Sequence, residues 1–191
     1  SASYVGAFDG IRKVFAGEPL SMQRGYTAGT FSFNSGNGRC PTCNGNGFEH
    51  VEMQFLSDVY IRCPDCDGTR YRPEVLEVRV QPAPPGRTGT SIAGVLEMTV
   101  NEACDFFAAY PEVARRLEPL RAVGLGYLRV GQPVPTLSGG EAQRLKLAGY
   151  LAGSAAKNRT RGKSLFLFDE PTTGLHFDDI AVLLRALRQL L

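Results

Sequence analysis

Four of the five cysteines fall as Cys40-x2-Cys43 and Cys63-x2-Cys66, with 19 residues between the pairs, and this spacing restricts the fold more than any other feature. A Cys-x2-Cys turn lets two sulfurs converge on one ion. A hairpin of that length brings back a second pair, and four thiolates close a tetrahedron with Zn–S of about 2.3 Å. Such a shell has no open position for water, so the ion it holds is structural. Two disulfides or a redox-active Cys-x-x-Cys are the competing readings. The first is rare in a reducing compartment, and the second does not come as two matched pairs. Cys104 sits on an apolar helical pattern and reads as a small core residue. His50 lies between the pairs and receives no ligand role, because four sulfurs already satisfy the metal.

The two pairs sit in a repeated phrase, CPTCNGNG and CPDCDGTR, whose glycines allow a tight knuckle with positive φ. The phrase resembles the zinc repeats of DnaJ-type chaperones, which implies a zinc-dependent binding module without catalysis as an alternative function. Four thiolates on a divalent ion leave two net negative charges, which favour nearby cations. Arg39, Arg62, Arg70 and Arg72 flank the pairs and are candidates for contacting nucleic acid. Pairing with the thiolates or with Asp65 and Asp67 is the competing role for the same arginines.

The 191 residues suffice for one domain or two small ones, and 43% apolar with 21% charged residues is ordinary globular usage. A disordered or collagen-like chain is excluded despite 22 glycines and 12 prolines. The net charge of +2 makes no global case for nucleic acid, so any basic surface must be local. No apolar run approaches the length of a membrane span and no signal-peptide pattern opens the chain, so a cytoplasmic protein without membrane contact is expected. The chain starts with Ser and stops inside the periodic pattern IAVLLRALRQLL, which reads as part of a longer polypeptide.

Four regions follow from the pattern. Residues 1–35 carry a helix with Phe8, Ile11, Val14 and Phe15 on one face, then a strand at 29–34 (GTFSFN). Residues 36–72 form the zinc module. Residues 73–136 open with a strand at 74–80 (EVLEVRV) and a Pro/Gly-rich connection at 81–91, the best internal boundary. A helical subdomain follows, with Thr99 and Glu102 as a capping box and Pro111 in the first turn of the next helix. Residues 137–191 hold a Gly turn, a helix with Ala142, Leu145, Ala148 and Leu151 on one face, a buried parallel strand SLFLFDE, and a terminal helix carrying Ile180, Leu183, Leu184, Leu187 and Leu191.

The strand ends in Asp169 and Glu170, the arrangement of a Walker B segment. At the C-terminal edge of an α/β sheet Asp169 would hold Mg²⁺ and Glu170 would polarise an attacking water. A pair of acids ending a core strand explains the same residues without chemistry. Upstream, Leu137-Ser138-Gly139-Gly140-Glu141 is followed by Ala142-Gln143-Arg144. Its glycines let the backbone approach phosphate oxygens, Ser138 can donate its hydroxyl, and the next helix begins with its positive dipole end toward them. A plain Gly-rich N-cap is the bland alternative, yet LSGGE some 30 residues before the acids resembles the ABC-ATPase signature. Gly162-Lys163-Ser164 is not a P-loop: Lys157 stands where GxxxxGK[ST] needs Gly, and the order of strand, loop and helix is reversed. The chain contributes parts of ATP sites and completes none.

Taken together, GTFSFN, CPTCNGNGFEHVEMQFLSDVYIRCPDCDGTRY, GLGYLRVGQPVPTLSGGEAQRLKLA and LFLFDEPTTGLHFDD resemble the C-terminal ATPase half of UvrA, the damage-recognition subunit of bacterial nucleotide excision repair. The resemblance covers nearly the whole chain. It implies an α/β fold, a partial ABC-type ATPase head with a helical signature subdomain and an inserted four-cysteine zinc module. It also implies ATP, Mg and Zn as cofactors. The implied partners are double-stranded DNA with lesions, a UvrB-like repair protein, a second ATPase head and a second copy as homodimer. Carried over by position, Ser138, Gly139, Gly140, Glu141 and Gln143 serve the nucleotide, Asp169 and Glu170 the catalytic acids, and Cys40, Cys43, Cys63 and Cys66 the zinc. Thr173-Gly174-Leu175-His176 matches the UvrA form rather than the SALD-like segment of transport ATPases. Ser57, where the family usually has Pro, and the long 81–91 connection depart from the pattern and leave room for an auxiliary paralogue. With no P-loop, the chain by itself is expected to turn over no ATP.

Overall fold

The computed structural model describes residues 2–51, 59–82, 88–155, 167–172 and 177–188. The chain divides into two compact units. One comprises Ser1–Phe8, Pro82–Pro84 and Leu96–Leu191, and the other Asp9–Gln81 and Pro85–Val95.

The second unit contains most of helix α1 (Ala7–Ala16), a short α2 (Pro19–Gln23), strands β1 (Phe48–Val51) and β2 (Val59–Arg62), and α3 (Pro73–Leu76). Ile11 and Phe15 of α1 are buried as their helical spacing predicts. The strand expected at 29–34 does not form: these residues make successive turns, closed by Thr30 N–H to Thr27 O at 2.9 Å and Ser32 N–H to Gly29 O at 3.0 Å. Alternating phenylalanines are satisfied here by packing rather than by a sheet. Phe31 is fully buried between Phe15 (5.4 Å between ring centroids) and Tyr26 (6.2 Å), and the Tyr71 hydroxyl donates to its carbonyl at 2.8 Å.

The strand expected at 74–80 is also corrected. Pro73 occupies the first helical position after an extended Arg72, which starts α3 instead, and only Val80 pairs, antiparallel, with Thr90. That pairing flanks the 81–91 connection, of which residues 83–87 lie outside the described residues. Among the described residues the one sheet is β1–β2, antiparallel, with Phe48 opposite Arg62 and His50 opposite Tyr60.

The first unit is helical: α5 (Val100–Phe106), α6 (Pro111–Ala122), a 3-10 turn (Val134–Thr136), α7 (Gly139–Ala155) and α8 (Phe177–Arg188); most of α4 (Ile92–Glu97) belongs to the second unit. The expected capping box is present. Thr99 Oγ1 accepts from Glu102 N–H at 3.2 Å while Glu102 accepts from Thr99 N–H at 2.8 Å. Helix α6 packs on α5, α7 and α8, and Ala103, Phe107, Leu117, Leu120, Leu145, Ala148 and Leu183 form the core between them.

The buried face of α7 runs through Arg144, Leu145, Leu147, Ala148 and Ala152, while Ala142 and Leu151 are half-buried. On α8, Leu183 and Ala186 are buried and Leu184 is exposed; Leu191 lies outside the described residues. Of the buried parallel strand expected over SLFLFDE, residues 164–166 lie outside the described residues, and the described part does not show a strand. Leu167 and Phe168 take no strand, and Leu167 is 89% exposed. A strand needs hydrogen-bonding neighbours, and no described residue pairs with this segment in a sheet. No helix among the described residues is long and apolar enough to cross a membrane.

Candidate functional site

The four-cysteine module is built from two knuckles of matching geometry. Each second cysteine is followed by two residues with positive φ, Asn44 (51°) and Gly45 (85°) in one, Asp67 (45°) and Gly68 (82°) in the other. Each turn is closed by the cysteine's own carbonyl, accepting from Asn46 N–H or Thr69 N–H at 2.9 Å. The knuckles are tied crosswise: Cys40 N–H donates to Arg70 O at 2.9 Å, and Cys63 N–H to Gly47 O at 3.0 Å. Repetition in sequence has become approximate twofold repetition in space.

This folding buries all four sulfurs and brings them within 4.8 Å of one another. Cys40 and Cys63 Sγ are 3.9 Å apart and Cys43 and Cys66 Sγ 3.6 Å. A tetrahedron with Zn–S of about 2.3 Å has edges of about 3.8 Å. Both contacts are far longer than a disulfide of about 2.05 Å, and the cysteines are free. Gly47 N–H points at Cys43 Sγ at 3.2 Å. Burial pushes the Cys66 thiol up to about 12. At Cys40 burial acts the same way but is outweighed by the N–H groups of Cys43 and Thr42, which bring it below its usual value. Four sulfurs clustered out of water can ionise together only against a cation, and a thiophilic divalent ion fits this donor set. His50 pairs with Tyr60 across the β1–β2 hairpin, and the four-sulfur group is complete without it. Cys104 is buried on α5, where desolvation raises its thiol to about 11.

The four arginines divide by environment. Arg39 donates to Asn34 O at 2.8 Å, and the Arg70 guanidinium lies 5.0 Å from the centre of the Phe33 ring. Both support the fold of the module. Arg62 is exposed and 3.6 Å from Asp67, and Arg72 is exposed with its backbone N–H held by Gly38 O at 2.9 Å. Asp65 accepts from Thr42 instead of from an arginine.

In the helical unit, the turn at 137–141 forms a second capping box that sequence reading overlooked, although Ser138-x-x-Glu141 has the diagnostic spacing. Ser138 N–H donates to Glu141 Oε2 at 2.7 Å and Glu141 N–H to Ser138 Oγ at 3.3 Å. The Ser138 hydroxyl therefore accepts locally and keeps its own proton available. Beside Gly139, the space a side chain would fill is empty out to 4 Å, so the backbone at the start of α7 is open to approach. Two residues missed in the sequence complete the turn. The Tyr127 hydroxyl donates to Glu141 Oε1 at 2.6 Å, and Arg144 Nη2 lies 3.5 Å from the same hydroxyl. No local pattern announces Tyr127, because the contact spans 14 positions.

Gln143 faces the acid segment: its side-chain amide donates to the Asp169 carbonyl at 2.8 Å. A cleft of about 330 Å³ opens there, bordered by Gln143, Lys146, Tyr150, Phe168 and Asp169. Asp169 and Glu170 are both exposed, and Glu170 adopts a left-handed φ of 42°. The structure thus joins the Gly turn, its helix and the acid pair in one unit. Residues 162–164 and 173–176 lie outside the described residues.

No protein-family model matches the chain. Curated relatives do. UvrABC system protein A of Thermus thermophilus is 52% identical over 189 residues, 99% of this chain and 19% of that protein. The protein of the same name from Micrococcus luteus is 51% identical over 99% of this chain and 18% of its own length. Among solved structures, the crystal structure of UvrA2 from Deinococcus radiodurans matches with a TM-score of 0.85 at 51% identity, over 99% of this chain and 21% of that one. The chain spans about a fifth of the length of the relatives it matches.

Proposed function

The chain belongs to the UvrA family, and from that footing we propose that it works within an ATP-dependent protein that recognises DNA damage in nucleotide excision repair. Its contribution is a signature turn, an acid pair and a zinc module of an ABC-type ATPase head. The observation that carries this reading is the link between the open start of α7 and the Asp169 segment through Gln143, in one helical unit.

Ser138, Gly139 and Gly140 present a hydroxyl and backbone N–H groups at a helix N-terminus, the donor set that phosphate oxygens require. Gln143, carried over as a nucleotide residue, also fixes the segment that follows through its bond to the Asp169 carbonyl. Asp169 and Glu170, exposed beside the cleft, are the residues that would hold Mg²⁺ and orient water; bound Mg²⁺ supplies charge stabilisation for phosphoryl transfer. The P-loop comes from outside residues 1–191, so this chain alone turns over no ATP. Cys40, Cys43, Cys63 and Cys66 hold zinc, which keeps the hairpin folded.

Double-stranded DNA bearing lesions, a UvrB-like repair partner, a second ATPase head and a second copy of the protein are the proposed partners. Of Arg39, Arg62, Arg70 and Arg72, the candidates for contacting DNA, Arg62 and Arg72 are the more exposed and the preferred pair. Their exposure supports this, whereas Arg39 and Arg70 are occupied in holding the module together.

The test is made in the intact polypeptide that carries this chain. Glu170→Gln is expected to abolish ATP turnover with nucleotide binding retained; unchanged turnover removes Glu170 as the group that activates water. Arg62→Glu with Arg72→Glu is expected to weaken DNA binding and flatten its salt dependence. Function that survives changes at both Ser138 and Asp169 would leave a zinc-dependent interaction module instead.

A further inference from the structure

We infer that Glu141 does not contact the nucleotide but is a positioning residue, held by Tyr127 and backed by Arg144, that sets the shape of the phosphate-facing turn. The inference rests on the reading of Ser138–Gly140 as a nucleotide-binding turn and changes the role of the residue that follows it.

Both carboxylate oxygens of Glu141 are already used inside the chain. Oε2 accepts from Ser138 N–H at 2.7 Å and Oε1 from the Tyr127 hydroxyl at 2.6 Å. A carboxylate pointing at phosphate oxygens would repel them. Folded back, it instead locks the residue whose hydroxyl and neighbouring N–H groups do the binding.

The charge it brings is matched from below. Arg144 follows Glu141 by three positions, on the same helical face one turn on. It is only 6% exposed, and its Nε and Nη1 are buried without a hydrogen-bond partner among the described residues. A buried guanidinium so poorly paired is costly unless its charge is used. Here its Nη2 approaches Tyr127, whose hydroxyl it shares with Glu141. The mutual effect shows in the acidities. Burial raises the Tyr127 phenol, and its bond to Glu141 raises it further. At Glu141 burial is outweighed by Tyr127, Ser138 and the charge of Arg144, so the carboxyl falls below its usual value.

The roles separate by steady-state kinetics in the intact protein, with ATP as the probe. Tyr127→Phe removes one hydroxyl from a side chain that is 55% exposed, so the core is untouched. It is expected to raise KM for ATP roughly three- to tenfold, the worth of one hydrogen bond. Glu141→Ala should raise KM by about tenfold or more, and Glu141→Gln, which can still accept from Ser138 N–H, should restore it to within about threefold. A merely structural role would lower the active fraction, and so kcat, at constant KM. If Ser138→Ala raises KM while Tyr127→Phe and Glu141→Ala do not, the positioning role is overturned and the turn's nucleotide role stands. If Ser138→Ala leaves KM unchanged, the nucleotide reading of the turn fails, and this inference with it.

Discussion

The Gln143 side chain donates to the Asp169 backbone carbonyl at 2.8 Å, so the helix that begins at the glycine turn grips the acid segment 26 residues later. Because the bond is to backbone, the Asp169 carboxylate stays exposed beside the cleft while its position is held. Among the described residues no sheet partner holds 167 and 168 in its place.

Gln143→Ala is therefore expected to loosen this segment without unfolding the helices. One lost hydrogen bond of about 0.5–1.5 kcal/mol corresponds to several-fold faster amide exchange over residues 167–170. Exchange mapped by mass spectrometry checks it, and equal rates in both proteins would show that other contacts hold the segment.

The matched knuckles are expected to respond unequally to the same change. A Cβ at Gly45 would sit 2.0 Å from the Phe33 carbonyl oxygen, whereas one at Gly68 meets nothing nearer than 3.9 Å. Gly68→Ala costs only its left-handed backbone, about 1–2 kcal/mol, and keeps its metal. Gly45→Ala must displace main chain and is expected to lose zinc. Metal content per chain, about one in the parent, separates the two. Chelation should unfold residues 36–72, since apparent metal-binding energies of about 10–16 kcal/mol are also folding energy in such modules.

Tyr71→Phe tests a buried hydrogen bond within the four-cysteine module. Tyr71 is 1% exposed and its hydroxyl is bonded to Phe31 O. Removing the hydroxyl leaves that carbonyl buried and unpaired, at a cost of about 1–3 kcal/mol in chemical denaturation. An unchanged midpoint would mean that the carbonyl finds another donor.

Acid should fray the start of α7. The folded Glu141 carboxyl is held below its ordinary value of 4.5, against the effect of burial, by Tyr127, Ser138 and Arg144. A carboxyl depressed on folding stabilises fully above its unfolded value, and the contribution is lost as pH falls through the folded one. Amide exchange at residues 139–141, corrected for intrinsic rates, should therefore show declining protection only below pH 4.5. In Glu141→Gln this decline should be absent; its persistence would assign the effect to another group.

Short-range rules made much of this protein readable from its residues alone. The four-cysteine cluster, the box at Thr99–Glu102, Pro111 opening α6 and the helix after Gly139 all depend on partners within a few positions or on a repeated phrase. Only tertiary packing decided the rest. Whether alternating apolar residues at 29–34 become a strand depends on an available sheet edge, and Phe31 was instead enclosed by Phe15, Tyr26 and Tyr71. Residues 74–80 yielded to the helix-starting geometry of Pro73, and Leu167, in a run rich enough in apolar residues for a core strand, is exposed with no sheet partner among the described residues. The meeting of Tyr127, Glu141 and Arg144 is likewise invisible in sequence, because hydrogen bonds between distant residues follow from where the chain returns and not from the pattern around either one.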